Sequence, residues 1–179
     1  MSRLQEITFK PSNTFKIAVG AIFAALVAVV TLLFVVPIPA TSGYFNLGET
    51  LIYIAALLLG PMVGVIAGAG ATIADILTAA QFAPGTFTIK GIEGFLVGFL
   101  NKKLNQKTNN VTLSATIAII IGGLEMVLGY FIYEQIVLGY PLAAALVEIP
   151  FNIVQMFIGL IIAIPVMHAI LRVFPQLKS

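Results

Sequence analysis

The chain has few of the residue types on which catalytic sites and cross-links depend. Its 179 residues include no cysteine, no tryptophan and a single histidine, His168. Without cysteine, disulfides and thiolate metal sites are excluded, and a lone histidine near one end of the chain does not make a histidine metal site or a Ser/His pair. The phosphate-binding loop G-x-x-x-x-G-K-[ST] is also absent. We therefore expect neither an enzyme nor a protein that carries a metal or a cofactor.

Charged residues are also few. Only 9% of the residues are charged, 60% are hydrophobic, and the mean hydropathy is +1.09. This composition excludes an ordinary soluble domain and favours an integral membrane protein. A chain of this length has room for about five or six spans of roughly twenty residues each, with little left for a second domain.

Apolar runs predict an all-α integral membrane protein, a bundle of six transmembrane helices in a single domain, 1–179. Gly60-Pro61 separates two of the runs, and Pro150 and Pro165 can kink the last helix without ending it. The first run is long and no small-residue cleavage site follows it at once, which favours a retained helix over a signal peptide. The predicted helices are about 17–36, 47–59, 61–80, 86–100, 111–133 and 147–173.

The positions of the basic residues predict the orientation. Except for Lys90, every Lys and Arg lies in residues 1–16, in the polar connector 101–110 or near the C-terminus. The loops between the other helix ends contain none; they are 37–46, 80–86 and 134–146. The positive-inside rule then places both termini in the cytoplasm. We interpret the lysine-rich connector as a solvated loop that sets topology, and we expect no nucleic-acid partner.

Polar and aromatic side chains concentrate in the outer halves of the predicted helices, on the side of the membrane away from the two chain termini. Lys90 and Glu93 share a helix face, where they pair or bind a ligand together, and the last helix has amides at a similar spacing. Such a collection describes a pocket for a small flat or heterocyclic molecule. The alternative is a structural polar network, with Lys90 extending to the surface. The candidate substrate-binding residues are Phe45, Asn46, Phe82, Lys90, Glu93, Tyr130, Tyr133, Asn152 and Gln155.

Two more carboxylates, Glu49 and Asp75, lie inside predicted helices. Buried charges in a membrane are costly unless they face a partner or a wet cavity, and they often mark function. We interpret this pair as structural, and a functional role stays open as the alternative.

Small residues recur every four positions on several helices. In the first helix these are Ala21 with Ala25, and Ala24 with Ala28. Such stripes allow close approach of helices in lipid. They serve either packing inside the bundle or contact with another protein.

These features together resemble the substrate-binding S components of energy-coupling factor (ECF) transporters, small membrane proteins of bacteria and some archaea. The resemblance covers nearly the whole chain. It rests on the alanine stripes and on Phe45-Asn46-Leu47-Gly48-Glu49, Leu59-Gly60-Pro61 with the following glycines and Asp75, Pro84-Gly85-Thr86 to Lys90-Gly91, and Pro150-x-Asn152-x-x-Gln155.

The resemblance implies a six-helix bundle in the cytoplasmic membrane, with both termini cytoplasmic. It implies capture of a vitamin or vitamin precursor at the outer face. It also implies docking on a membrane coupling subunit that is driven by two ATPases, through first-helix alanines, here Ala21, Ala24, Ala25 and Ala28.

Within the family the pattern is most similar to the branch of riboflavin, pyridoxine and hydroxymethylpyrimidine carriers. Riboflavin-type members resemble Pro-x-Asn-x-x-Lys in the last helix; Asn152 matches, but Gln155 replaces the lysine. A glutamine can still donate to a ring carbonyl. In the thiamin branch the resemblance would imply stacking on tryptophan, and this chain has none. Cobalt- or nickel-type members use an N-terminal metal-binding segment with histidine, which Met1-Ser2-Arg3 lacks.

Two other classes of function stay open at this point. A self-contained secondary carrier is one, although no internal repeat of the kind common in carriers is evident. An intramembrane enzyme that uses the carboxylates is the other, and it lacks a recognisable motif.

Overall fold

A computed structural model describes residues 12–177. The basic residues Arg3 and Lys10, the segment Met1-Ser2-Arg3 and Lys178 lie outside the described residues. In chain order the elements are α1 (Asn13–Leu33), β1 (Val36–Ile38), β2 (Gly43–Phe45), α2 (Gly48–Leu59), α3 (Pro61–Thr78), α4 (Ala83–Thr108), α5 (Val111–Ile136), α6 (Leu142–Val173) and a short 3₁₀ turn, Pro175–Leu177.

The predicted six-helix membrane bundle is confirmed for the described part of the chain. Four helices, α1, α3, α5 and α6, are long and apolar enough to span a membrane, and α2 is a shorter apolar helix. Large side chains on the outside of the bundle are apolar, including Ile22, Leu77, Leu128 and Ile161, each more than half exposed. A helix that is apolar on all sides fits a lipid environment. The orientation of the bundle across the membrane stays a prediction.

Several boundaries differ from the predicted ones, among them the start of α6 at Leu142, five residues earlier than predicted. The first helix ends at Leu33, because the next residues form a strand instead of a further turn. The fourth helix continues through the lysine-rich stretch to Thr108, since Lys, Leu and Gln are good helix formers in water as well. It ends at Asn109, whose φ of 51° is left-handed and is tolerated by asparagine. Asn110 then caps α5 by accepting from the Leu113 N–H at 3.0 Å.

Glycine allows α3 to lie very close to α4. A Cβ at Gly64 would collide with the Gly94 carbonyl, and a Cβ at Gly94 with the Gly64 carbonyl. One turn further along α3, a Cβ at Gly68 would lie 2.5 Å from the Lys90 carbonyl oxygen. The small-residue stripes of these two helices therefore pack against each other.

The alanine stripes of α1 divide between two faces. Ala24 and Ala28 are buried in the bundle, and the Ala24 carbonyl lies against Gly70 of α3. Ala21 and Ala25 lie next to them around the helix, within about 100°, and are exposed. One half of the predicted docking set is thus internal packing, and the other half faces outward.

A small hairpin covers the end of the bundle that lies opposite residues 12 and 177. Strands β1 and β2 are antiparallel, with Pro37 opposite Tyr44. The Thr41 hydroxyl donates to Glu148 of α6, and the Tyr140 hydroxyl donates to the Thr41 carbonyl at 2.7 Å. We call this side, which also contains the connections 79–82 and 137–141, the hairpin end.

Candidate ligand-binding site

A cavity of about 40 Å³ lies beneath the hairpin. The hairpin, the α3–α4 region, α5 and α6 all contribute to it. This volume holds about one water molecule, whereas sites for small molecules typically enclose about 300 to 1,000 Å³. Binding of a vitamin-sized molecule would therefore require the walls to move apart. The lining residues are Gly43, Tyr44, Asn46, Asp75, Phe82, Tyr130, Glu148, Asn152 and Gln155.

Amides form one wall of the cavity. Asn152 and Gln155 are three residues apart and so project from the same face of α6. The Gln155 side chain accepts from the Asn46 backbone N–H at 3.0 Å and donates to Glu49 at 3.2 Å. The Asn46 side chain in turn accepts from the Gly48 N–H at 2.9 Å. Gln155 therefore ties the start of α2 to α6 while its amide remains at the cavity.

Asp75, near the end of α3, also lines the cavity. Its carboxylate accepts from the hydroxyls of Tyr44 and Thr86. The Thr86 hydroxyl also lies 2.9 Å from the Tyr130 hydroxyl. Burial, followed by the neighbouring Asp75 charge, raises the pKa of Tyr44, so this phenol remains a neutral donor. The chain of hydroxyls connects the hairpin with three helices.

A buried ion network lies below the cavity. The Lys90 ammonium donates to Glu49 and to Glu93 at 3.1 Å, and all three side chains are at most 3% exposed. The Tyr53 hydroxyl donates to Glu93 at 2.9 Å. Because α4 begins at Ala83, Lys90 lies about 10 Å along the helix, deeper than the single turn that a start near residue 86 predicts. It does not extend to the surface.

The structure brings five of the nine predicted site residues to the cavity: Asn46, Phe82, Tyr130, Asn152 and Gln155. The other four do not line it. Lys90 and Glu93 belong to the ion network, and Phe45 is half-buried in β2. Tyr133 donates to the Gln81 carbonyl at 2.8 Å, and its ring lies over Gly85. This tyrosine fastens the connection 79–82 to α5.

Four lining residues are not in the predicted set: Gly43, Tyr44, Asp75 and Glu148. Two of them carried a signal in the sequence. Glu148 lies four residues before Asn152, on the same helix face, and Asp75 is an isolated carboxylate in an apolar helix, which marks function by default. Tyr44 and Gly43 depend on the hairpin register, which the sequence pattern does not reveal.

Comparison with known proteins agrees with this architecture. Residues 12–172 match the family model described as the ECF-type riboflavin transporter, S component. An uncharacterised protein from Pyrococcus woesei is 38% identical over 137 residues, which cover 76% of this chain and 88% of that protein.

A solved structure, described as "Structure and mechanism of the S component of a bacterial ECF transporter", has the same fold. It superposes with a TM-score of 0.67 over 94% of this chain and 100% of that one, at 19% identity. Because the family match spans nearly the whole chain, the protein belongs to the ECF-type riboflavin transporter S component family: it is a membrane-embedded, vitamin-binding transport subunit and not an enzyme.

Proposed function

We propose that this S component captures a vitamin or vitamin precursor of the riboflavin, pyridoxine or hydroxymethylpyrimidine type in the cavity at the hairpin end. It then passes the ligand on through a membrane coupling subunit with two ATPases. The single observation that supports the location is the convergence of amides, hydroxyls and aromatic rings from the hairpin, from three helices and from the segments just before α2 and α4 around one cavity. A few directed polar groups among rings suit a flat heterocycle.

The charge distribution supports an outward-facing hairpin end. The basic residues Lys16, Lys102, Lys103, Lys107 and Arg172 all lie at the opposite end of the described bundle. Under the positive-inside rule that end is cytoplasmic. The cavity would then receive its ligand from outside the cell.

The residues that line the cavity suggest how a heterocycle would be recognised. Asn152 and Gln155 offer amide donors and acceptors from one face of α6, and Phe82 and Tyr130 supply rings on which a flat molecule can pack. Gln155 is neutral where the riboflavin-type pattern has lysine. A ligand that needs a cation at this point is therefore disfavoured relative to one that hydrogen-bonds to an amide.

We place the docking surface on the exposed face of α1. Ala21 and Ala25 leave a shallow, apolar strip among larger exposed side chains such as Ile22 and Val29. Small residues at this spacing allow a partner helix to approach closely in lipid. Ala24 and Ala28 lie beside this face and are buried in the bundle, and the Ala24 backbone lies against Gly70 of α3.

The test is purification from membranes of cells grown with a mixture of vitamins. Mass spectrometry of the retained small molecule should detect a flavin, a pyridine or a pyrimidine, and the coupling subunit and both ATPases should co-purify. Transport by the isolated chain in proteoliposomes, without these partners, would contradict the proposal and favour a self-contained carrier.

A further inference from the structure

A groove of about 500 Å³ opens at the end of the bundle opposite the hairpin. It lies where the start of α1, the turn between α2 and α3, and the last part of α4 come together. The cavity beneath the hairpin, by comparison, has about 40 Å³. One wall of the groove belongs to the lysine-rich stretch that the sequence predicts to be a solvated loop, because α4 continues through that stretch.

The charge of this groove is positive and lacks a partner. In the described part of the chain none of its lysines forms an ion pair. The acidic residue of α4, Glu93, lies about 14 Å along the helix from the nearer lysine and is bound by Lys90. The segment before α1, residues 1–11, contains two basic residues and one acidic residue, so its net charge has the same sign. We call this site the basic groove; its lysines are Lys16, Lys102 and Lys103.

The floor of the basic groove is apolar. The Lys103 ammonium lies 5.6 Å from the centre of the Phe99 ring, so this side chain folds back over the floor instead of extending into water. A positive charge therefore lies directly beside an apolar surface. The apolar lining residues are Leu59, Pro61, Met62 and Phe99.

An exposed apolar face leads away from the basic groove along α3 and α4. The rings of Phe95 and Phe99 stack with 5.7 Å between their centroids, and both are more than two-fifths exposed. On α3, Val65 follows Met62 by about one turn and is 38% exposed. A Cβ at Gly91 of α4 would lie 4.0 Å from the Val65 side chain, so the two helices share this face. A hydrocarbon chain can lie along it while a charged group stays at the lysines.

A phospholipid with an anionic headgroup has both of the parts that the basic groove can accommodate. Its phosphate pairs with ammonium groups, and basic pockets between transmembrane helices bind anionic headgroups. A free phosphate would leave the apolar floor uncovered. A zwitterionic lipid would add a cation, which the lysines repel.

We infer that the basic groove binds one membrane phospholipid with an anionic headgroup. The three lysines hold the headgroup, and an acyl chain lies along the exposed face that α3 and α4 share. This site is separate from the cavity beneath the hairpin, and the inference does not depend on the ligand proposed there.

The test compares two lipids that differ only in the headgroup, dioleoylphosphatidylglycerol and dioleoylphosphatidylcholine. Binding of each to the purified full chain in detergent is measured by native mass spectrometry. We expect one phosphatidylglycerol molecule for each chain, bound about tenfold or more tightly than phosphatidylcholine. Glycerol phosphate has an anionic phosphate but no acyl chains, and in large excess it should not displace the lipid.

The double variant Lys102→Gln/Lys103→Gln should weaken phosphatidylglycerol binding about 25-fold, because each lysine near an anionic headgroup contributes a factor of about five. Both side chains are exposed, so the fold should persist, which thermal unfolding checks. The matched control is Lys107→Gln/Arg172→Gln. It removes two positive charges from the same end of the bundle, but neither residue lines the basic groove. The control should retain the preference for phosphatidylglycerol.

Four results would overturn the inference. Equal binding of the two lipids by the unmodified protein is the first. An equal loss in the two double variants would show a diffuse attraction to the basic end, and displacement by glycerol phosphate would show a site for a soluble anion. If Lys102→Gln/Lys103→Gln keeps the lipid preference but no longer co-purifies with the coupling subunit, the basic groove is a protein contact instead.

Discussion

Replacement of Lys90 by methionine tests the ion network below the cavity. The variant Lys90→Met keeps a long, flexible side chain but leaves Glu49 and Glu93 buried without their cation. Removal of one partner from a buried ion pair costs about 3 to 5 kcal/mol. At about 2 to 4 °C for each kcal/mol in a chain of this size, the melting temperature should fall by about 6 to 20 °C.

The assay is thermal unfolding of the purified protein in detergent, followed by intrinsic tyrosine fluorescence. The control variant adds Glu49→Gln and Glu93→Gln to Lys90→Met. Because neutral replacement of a whole buried ion group is often close to neutral in stability, the triple variant should recover most of the loss. If Lys90→Met alone melts like the unmodified protein, the network does not stabilise the fold and our reasoning about Lys90 is refuted.

Two further predictions compare neighbouring positions. Ala25→Leu should abolish co-purification of the coupling subunit and leave ligand affinity unchanged, and docking by Ala25→Leu at normal yield would exclude this face. Ala24→Leu should lower the melting temperature, because Ala24 is buried where the backbones of α1 and α3 lie close together at Gly70, which leaves little space for a larger side chain. Gly94→Ala should cost about 1 to 3 kcal/mol of stability, measured by thermal unfolding. Gly91→Ala is the control and should not lower stability, because its Cβ would lie 4.0 Å from its nearest neighbour, the Val65 side chain. Equal melting temperatures of the two variants would contradict the close α3–α4 packing.

The bundle was largely predictable from the sequence because membrane helices depend on apolar length. Every predicted helix is present, and the kinking prolines Pro150 and Pro165 lie inside α6. The errors occur where the length of an apolar run no longer indicates where a helix begins or ends. Residues 101–108 stay helical in water, and the strand Val36–Ile38 forms only because it pairs with Gly43–Phe45, a contact between residues that no periodicity indicates.

The candidate site was predictable in part, for a related reason. Asn152 and Gln155 share a helix face, so their spacing indicates that they act together. Lys90 and Glu93 also share a face, but the spacing does not show that Glu49 of another helix completes their network. Likewise, Ala24 and Ala25 look equivalent in the sequence, and only the packing of α1 on α3 distinguishes the buried one from the exposed one.

The most direct test of the account is the ligand affinity of Asn152→Ala, measured by titration with the molecule that mass spectrometry finds on the purified protein. A hydrogen bond to a ligand contributes about 0.5 to 1.5 kcal/mol, so the affinity should fall about threefold to tenfold. Asn101→Ala is the control: Asn101 is a buried asparagine at the other end of the bundle, where it donates to the Leu57 carbonyl at 3.2 Å, and its loss should lower stability without changing affinity. Unchanged affinity in folded Asn152→Ala, or an equal loss in Asn101→Ala, would contradict a ligand site beneath the hairpin.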